Sequence, residues 1–204
     1  MAAGTKGVAR ADREAQIVAA ACRVFGEAGY AATSVADVAA AAGISKPLIY
    51  QYFGSKDGLY AAALRHGAEV LSDEIERTAA SGTVGLERAL VTLDGMFQVL
   101  EPQPWIWRLV FDPTAPKDGE AAEVYAEHEQ RLLAFGAEGV GELLELAGDG
   151  EAGDPGDLSA LMAVWEQVFR TLVGWWIDHP EETPEAMTAR CERLFSAVLG
   201  GSTP

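Results

Sequence analysis

Apolar residues recur at intervals of three and four along almost the whole of this chain, and nowhere do they sustain the alternation of a β-strand. On a backbone with about 3.6 residues per turn that spacing lays one apolar stripe along a helix, whereas a half-buried strand needs a period of two. An all-α fold of about nine helices is therefore predicted. The first stripe is Ile17, Ala21, Val24, Phe25 and Ala28, with Asp12 as N-cap and Gly29 as stop, giving a helix over about 12–28. Two short helices follow at about 35–42 and 46–53. Ser55 caps a long fourth helix, whose face of Leu59, Ala63, Val70, Leu71, Ile75 and Thr78 runs until Ser81-Gly82. Leu86, Leu90, Leu93, Phe97 and Leu100 define the fifth, which Pro102 and Pro104 end, and Pro104 opens a short sixth through Phe111.

Beyond a loop from Asp112 to Gly119, residues Tyr125, His128, Leu132, Phe135, Gly139, Leu143 and Leu146 form the seventh stripe. The run GDGEAGDPGD at 148–157 reads as a flexible surface loop. The eighth helix, about 158–178, is apolar almost all the way round, which predicts cover on more than one side. The ninth, about 184–199, carries Met187, Cys191, Leu194, Phe195 and Val198 ahead of a disordered GGSTP tail.

Every apolar run is broken well before the roughly 18 residues that span a bilayer, and the N-terminus lacks the apolar stretch of a secretory signal. The expectation is a cytoplasmic protein. Cys22 and Cys191 lie in apolar helical patterns and read as buried small hydrophobes in a reducing compartment. Histidines at 66, 128 and 179, with no HExxH, GxSxG, P-loop or CxxC, offer no nucleophile–base pair or metal set, so neither an enzyme nor a cofactor is expected.

A net charge of −16 argues at first against a nucleic-acid partner, because DNA binding draws on Lys and Arg. The distribution reverses that reading. Of 15 basic and 31 acidic residues, six and five lie in the first sixty, leaving nine and 26 for the remainder. One end can approach a polyanion and the other cannot.

Within that end, Ala39 is small enough to sit where two helices cross. Gly43, four residues on, supplies the positive φ that a tight turn needs, and Val38, Ala42, Ile44 and Ile49 pin the pair inward. Ser45 stands as N-cap and Pro47 early in the following helix, whose exposed side then carries Lys46, Pro47, Leu48, Gln51 and Tyr52. These are the parts of a helix-turn-helix, with the polar residues near the start of the second helix, where a recognition helix reaches base edges.

The run Thr33-Ser34-Val35, Val38-Ala39, Ala42-Gly43-Ile44-Ser45-Lys46, Ile49-Tyr50-Gln51-Tyr52-Phe53 and Ser55-Lys56-Asp57-Gly58-Leu59 resembles the DNA-binding motif of the TetR family over roughly residues 12–60. The resemblance implies a transcription repressor with a DNA-binding domain at 1–54 and a helical ligand-binding and dimerisation domain at 55–204. It implies that Lys46, Pro47, Leu48 and Gln51 face the major groove while Thr33, Ser45, Tyr50, Tyr52 and Lys56 hold phosphates. Gln can pair an adenine edge, and Pro and Leu can touch thymine methyls. Leu48 stands where many members have a small or polar residue. Tyr50 and Phe53 have core packing of the third helix on the first and fourth as the alternative reading, Phe53 above all, and Lys6, Arg10 and Arg13 read either as an arm with phosphate or minor-groove contacts or as an ordinary solvated terminus.

For the acidic remainder the resemblance implies a homodimer through the helices at about 158–178 and 184–199, bound to a palindromic operator, and an unidentified small-molecule effector whose binding shifts the fourth helix. Trp105, Phe111, Tyr125, His128, Trp165 and Phe169, in an aromatic-rich region with Trp107, are the candidate ligand contacts, each with core packing as the alternative. His128 stands out on the inner face with Tyr125 and Leu132, and no second metal ligand lies one turn away.

Overall fold

The computed structural model describes residues 9–81, 83, 85–147 and 154–199, with the backbone alone for 142–147 and 199. Lys6, Gly82, residues 148–153 of the acidic Gly-rich run and the tail 200–204 lie outside the described residues. Within them the fold is nine helices and no strand: α1 Arg10–Ala28, α2 Val35–Ala42, α3 Lys46–Phe53, α4 Lys56–Ala79, α5 Gly85–Leu100, α6 Trp105–Val110, α7 Gly119–Ala147, α8 Pro155–Ile177 and α9 Pro184–Leu199. The all-α class and helix count follow the apolar periods. The chain divides into two compact units, Met1–Glu69 with Trp105–Glu127, and Val70–Pro104 with His128–Pro204.

In the first unit α1 buries Ile17, Ala21, Cys22 and Phe25, as its period predicts. It begins two residues before Asp12: Ala9 holds the N-cap position without a side-chain bond, and Asp12 falls in the first turn, where its charge faces the positive helix end. A capping box opens α2. Ser34 Oγ accepts from the Asp37 N–H at 3.3 Å, and the Asp37 carboxylate accepts from the Ser34 N–H at 2.8 Å. Ser55 caps α4 as expected, its Oγ accepting from the Gly58 N–H at 2.9 Å.

Helix α6 packs on α1 so closely that a Cβ placed on Gly26 would lie 2.1 Å from the carbonyl oxygen of Trp105. On the other side α4 passes α6 at Gly67, with Leu109, Val110 and Ile106 around it. Phe25, Tyr30 and Tyr60 fill the space between as an aromatic cluster, with Tyr60 edge-on to both others at 5.0 Å between centroids. Cys22 lies within this core, its thiol pushed up to about 12 by burial. Cys191, in the second unit, is buried and pushed up to about 11 for the same reason, as expected of packing rather than reactive thiols.

The second unit gathers α5, α8 and α9. Helix α5 buries Leu93, Met96, Phe97 and Leu100. Phe97 meets Trp176 of α8 at 5.2 Å, and Thr188 of α9 donates to Asp94 of α5 at 2.7 Å. Helix α8 begins three residues earlier than its apolar run implied, because Pro155 serves at N1 and Asp154 caps the Gly156 N–H at 2.8 Å. The expected cover on more than one side is not present among the described residues. Only Val173, Trp176 and Ile177 of α8 are buried, while Val164, Trp175 and, on α9, Leu194 and Val198 stand exposed. No helix among the described residues is long and apolar enough to cross a membrane.

Gly26 gives a direct check of the α1–α6 approach. Gly26→Ala puts a methyl against backbone that cannot rotate away, so it should lower the unfolding free energy by about 1–3 kcal/mol in denaturant titration, where an exposed helical Gly→Ala would raise it.

Candidate nucleic-acid interface

The second helix of the motif is held by a turn that glycine makes possible. Gly43 adopts φ 66° and ψ 33°, and its N–H with that of Ile44 closes the end of α2 on the carbonyls of Ala39 and Ala40. Val38, Ala39, Ala42 and Ile49 are buried and Ile44 is half-buried, so the pins point inward as their spacing predicted. Gln16 of α1 reinforces the turn from outside it, donating to the Ala42 carbonyl at 3.1 Å and accepting from Arg13 at 2.7 Å.

That leaves one face of α3 outward. Ser45, Lys46, Pro47, Tyr50 and Gln51 are exposed, and Leu48 and Tyr52 half-buried. Ser45 holds the N-cap position in extended backbone, but its side chain makes no cap bond. Lys46 Nζ lies 5.8 Å from the Tyr50 ring, and the Arg10 guanidinium 5.3 Å from that of Tyr52. Seven of the nine expected DNA-binding residues thus share one short helix and its cap. Phe53 is half-buried, with its ring 6.0 Å from that of Tyr52.

Thr33 and Lys56 stand elsewhere. Thr33 is buried, its hydroxyl donating to the Gly29 carbonyl at 2.8 Å. Lys56 Nζ donates to the Tyr30 carbonyl at 2.6 Å and sits 4.0 Å from the centre of that ring. Both hold the turn between α1 and α2. The same turn is gripped from beyond α6: the buried Asp112 carboxylate accepts from the Tyr30 N–H at 2.6 Å, the Thr114 N–H at 2.8 Å and the Thr114 hydroxyl at 2.7 Å, and Thr114 Oγ1 accepts from the Ala31 N–H at 3.1 Å. The Tyr30 hydroxyl donates to Asp57, and burial with that neighbour pushes the phenol up to about 12. Arg13 and Arg10 prove to be part of α1, and Arg13 is buried rather than part of a solvated arm.

The six candidate effector residues divide between the units. Trp105 is half-buried with the Arg23 guanidinium 5.3 Å from its ring, Phe111 lies 4.3 Å from Trp107, and Tyr125 is half-buried; all three are in the first unit. Trp165 meets Phe195 at 5.8 Å in the second unit, where Phe169 is half-buried. His128 is 7 % exposed, with Nδ1 at 2.8 Å from Ser72 Oγ and Nε2 buried without a hydrogen-bond partner among the described residues. Burial, with Arg131 nearby, pushes its imidazole down to about 4. No group of three or more metal-ligating side chains occurs among the described residues.

A short helix standing proud of a glycine turn, pinned by one apolar side and polar on the other, defines a helix-turn-helix DNA-binding regulator. The comparisons place it further. The model of the bacterial regulatory proteins of the tetR family matches residues 17–63. The transcriptional regulator BetI of Stenotrophomonas maltophilia is 32% identical over 133 residues, 63% of this chain and 67% of that protein. The transcriptional activator FasR of Mycolicibacterium smegmatis is 32% identical over 103 residues, 50% of this chain and 47% of its own length, so the match spans about half of that relative. Among solved structures, FadR of Bacillus subtilis in complex with stearoyl-CoA superposes with a TM-score of 0.71 at 17% identity, covering 93% of this chain and 99% of that one, which speaks for the fold. The chain belongs to the TetR family of transcription regulators.

The depressed imidazole of His128 has a measurable consequence. The unfolded chain takes up a proton near pH 6.5 and the folded chain only near 4, so the stability linked to this group is complete above about 6.5 and drains as pH falls toward 4. The urea midpoint of the native protein should therefore fall more steeply between pH 6.5 and 4.5 than that of His128→Gln; parallel profiles would mean the imidazole titrates normally.

Proposed function

We propose that this regulator is a cytoplasmic repressor that binds a palindromic operator as a homodimer and is released by a small-molecule effector. The outward face of α3 is the observation that carries the DNA half of this reading. Lys46, Pro47, Leu48 and Gln51 enter the major groove, where Gln51 pairs an adenine edge and Pro47 and Leu48 meet thymine methyls. Ser45, Tyr50 and Tyr52 hold phosphates from the flanks of the helix. Lys56, whose side chain is engaged within the chain, serves from the start of α4, where helix N-terminal amides and the dipole favour phosphate, whereas buried Thr33, with its hydroxyl on the Gly29 carbonyl and its N–H on the Tyr30 carbonyl, acts by holding the turn. DNA recognition resides in 1–54, and effector binding and dimerisation in 55–204.

The dimer uses the face that α8 and α9 leave uncovered. Val164, Val168 and Trp175 follow one another along α8, Leu194 and Val198 along α9, and Val198 is 78% exposed. An apolar strip of this kind on two adjacent helices suits an isologous four-helix contact, and two heads are needed for half-sites about 34–36 Å apart. For the effector, the stearoyl-CoA held by B. subtilis FadR makes long-chain acyl thioesters the first class to test. FasR is named an activator, so the sign of regulation is read from a promoter reporter with and without the protein.

Selection of bound duplexes from a random pool should return a palindrome for the native protein. Gln51→Ala should lose about 1–3 kcal/mol and relax one base position in each half-site, and Lys46→Ala should weaken binding while lowering the salt dependence by about one unit of slope per head. Enrichment of no site would reject the operator reading. Replacing Leu194 and Val198 together by Glu should convert a sedimenting dimer to a monomer and abolish operator binding; an unchanged mass would place the interface elsewhere.

A further inference from the structure

Ser72 of α4 and His128 of α7 form a buried polar pair that DNA recognition does not use. The two side chains are 1% and 7% exposed, and Oγ meets Nδ1 at 2.8 Å. Next to them along the same two helices, the Arg131 guanidinium donates to Asp73 at 3.3 Å and to Glu76 at 2.5 Å, so an outer ion-pair stitch fixes the helices that carry the inner pair. The Ser72 hydroxyl makes no second hydrogen bond among the described residues, and the assignment that satisfies its proton is donation to Nδ1, which puts the imidazole proton on Nε2. Among the described residues that N–H is buried and without an acceptor, a condition native interiors seldom tolerate unless a ligand or water meets it.

We propose that Ser72 and His128 are the polar anchor of the effector site, with His128 Nε2–H donating to the carbonyl oxygen of an otherwise apolar acyl group. The inference rests on the effector-responsive reading above and names the group that selects the ligand. An uncharged N–H in buried surroundings matches a neutral carbonyl; the guanidinium nearby, Arg131, is already engaged by Asp73 and Glu76, so a carboxylate would find little countercharge there. The same two residue types serve as nucleophile and base in hydrolases. Here, however, the serine bonds Nδ1 from within a helix and no acid orients the opposite nitrogen, so the pair is suited to holding a carbonyl rather than attacking it.

The test uses the full-length protein on its selected operator, with release followed by fluorescence anisotropy. The probes are stearoyl-CoA and S-octadecyl-CoA, the thioether that keeps chain and nucleotide but lacks the carbonyl oxygen. The native protein should be released at about tenfold lower concentration of the thioester, the worth of one hydrogen bond. His128→Phe should erase that preference, and His128→Gln, whose amide donates from nearly the same place, should keep part of it. Ser72→Ala should reduce the preference and change the His128 tautomer in ¹⁵N imidazole spectra, which tests the anchor even where the Phe variant fails to fold. Equal potency of the two probes on the native protein, a preference that survives in His128→Phe, or an Nδ1–H tautomer in the native protein at pH 7 would overturn the anchor while leaving effector release intact. Release by neither probe would reject the acyl-effector reading, and the anchor with it.

Discussion

Asp112 is a buried carboxylate that accepts three hydrogen bonds, one of them from a backbone N–H 82 residues earlier in the chain. Charge-assisted bonds of this kind contribute about 1.5–3 kcal/mol, and a carboxylate buried without them would be costly, so the loop beyond α6 and the turn between α1 and α2 specify each other. Thr33, Lys56 and Thr114 converge on the same turn, and the Tyr30 ring closes it over Phe25 and Tyr60. The direction in which α2 leaves that turn fixes the position of Gly43, and through it the face that α3 presents. The outward face of α3, proposed above to read DNA, is thus set in good part by Asp112 and Thr114, which have no role in that contact. It also follows that the head is not a local fold: the segment 105–127 belongs to its compact unit, through the close pass of Trp105 over Gly26 and of α6 beside Gly67.

The helices were legible because their signal is local. The bounds of α2, α3 and α9 follow the apolar period together with Gly43, Pro47 and Pro184, all within a turn or two of what they control. The start of α1 differs from its predicted position because Asp12 is as favourable in a first turn as at an N-cap, and the start of α8 because Asp154-Pro155, a strong opening signal, stands in a run that composition marks as loop. Asp37 three residues after Ser34 was a readable capping box that the apolar pattern overshadowed.

The site was legible to a different degree. Lys46, Pro47 and Gln51 point outward as the spacing places them, while Leu48 and Tyr52 on the same expected face are half-buried and Tyr50, which the spacing allows as partly core, stands exposed. Thr33 and Lys56 carry residue types that suit phosphates equally well as they suit backbone carbonyls, and only the three-dimensional partners decide; Gln16, which braces the turn, gives no signal in the sequence. The aromatic residues gathered by composition, from Trp105 to Phe169, divide between two units because a count of rings carries no information about which helix packs on which. The apolar period puts His128 on an inner face, but its Ser72 partner, 56 residues away, and an Nε2 without a partner among the described residues are beyond the reach of that period.

The uncovered strip on α8 and α9 bears on how such a regulator responds to its own abundance. On the reading proposed above, a chain finding no partner leaves Val164, Leu194 and Val198 in water and offers an operator only one head. Below the dimer dissociation constant, operator occupancy then rises with the square of copy number rather than in proportion to it. A modest change in synthesis or dilution at cell division would become a sharp change in promoter state, so the hydrophobicity of two helix faces would set the threshold of a genetic switch.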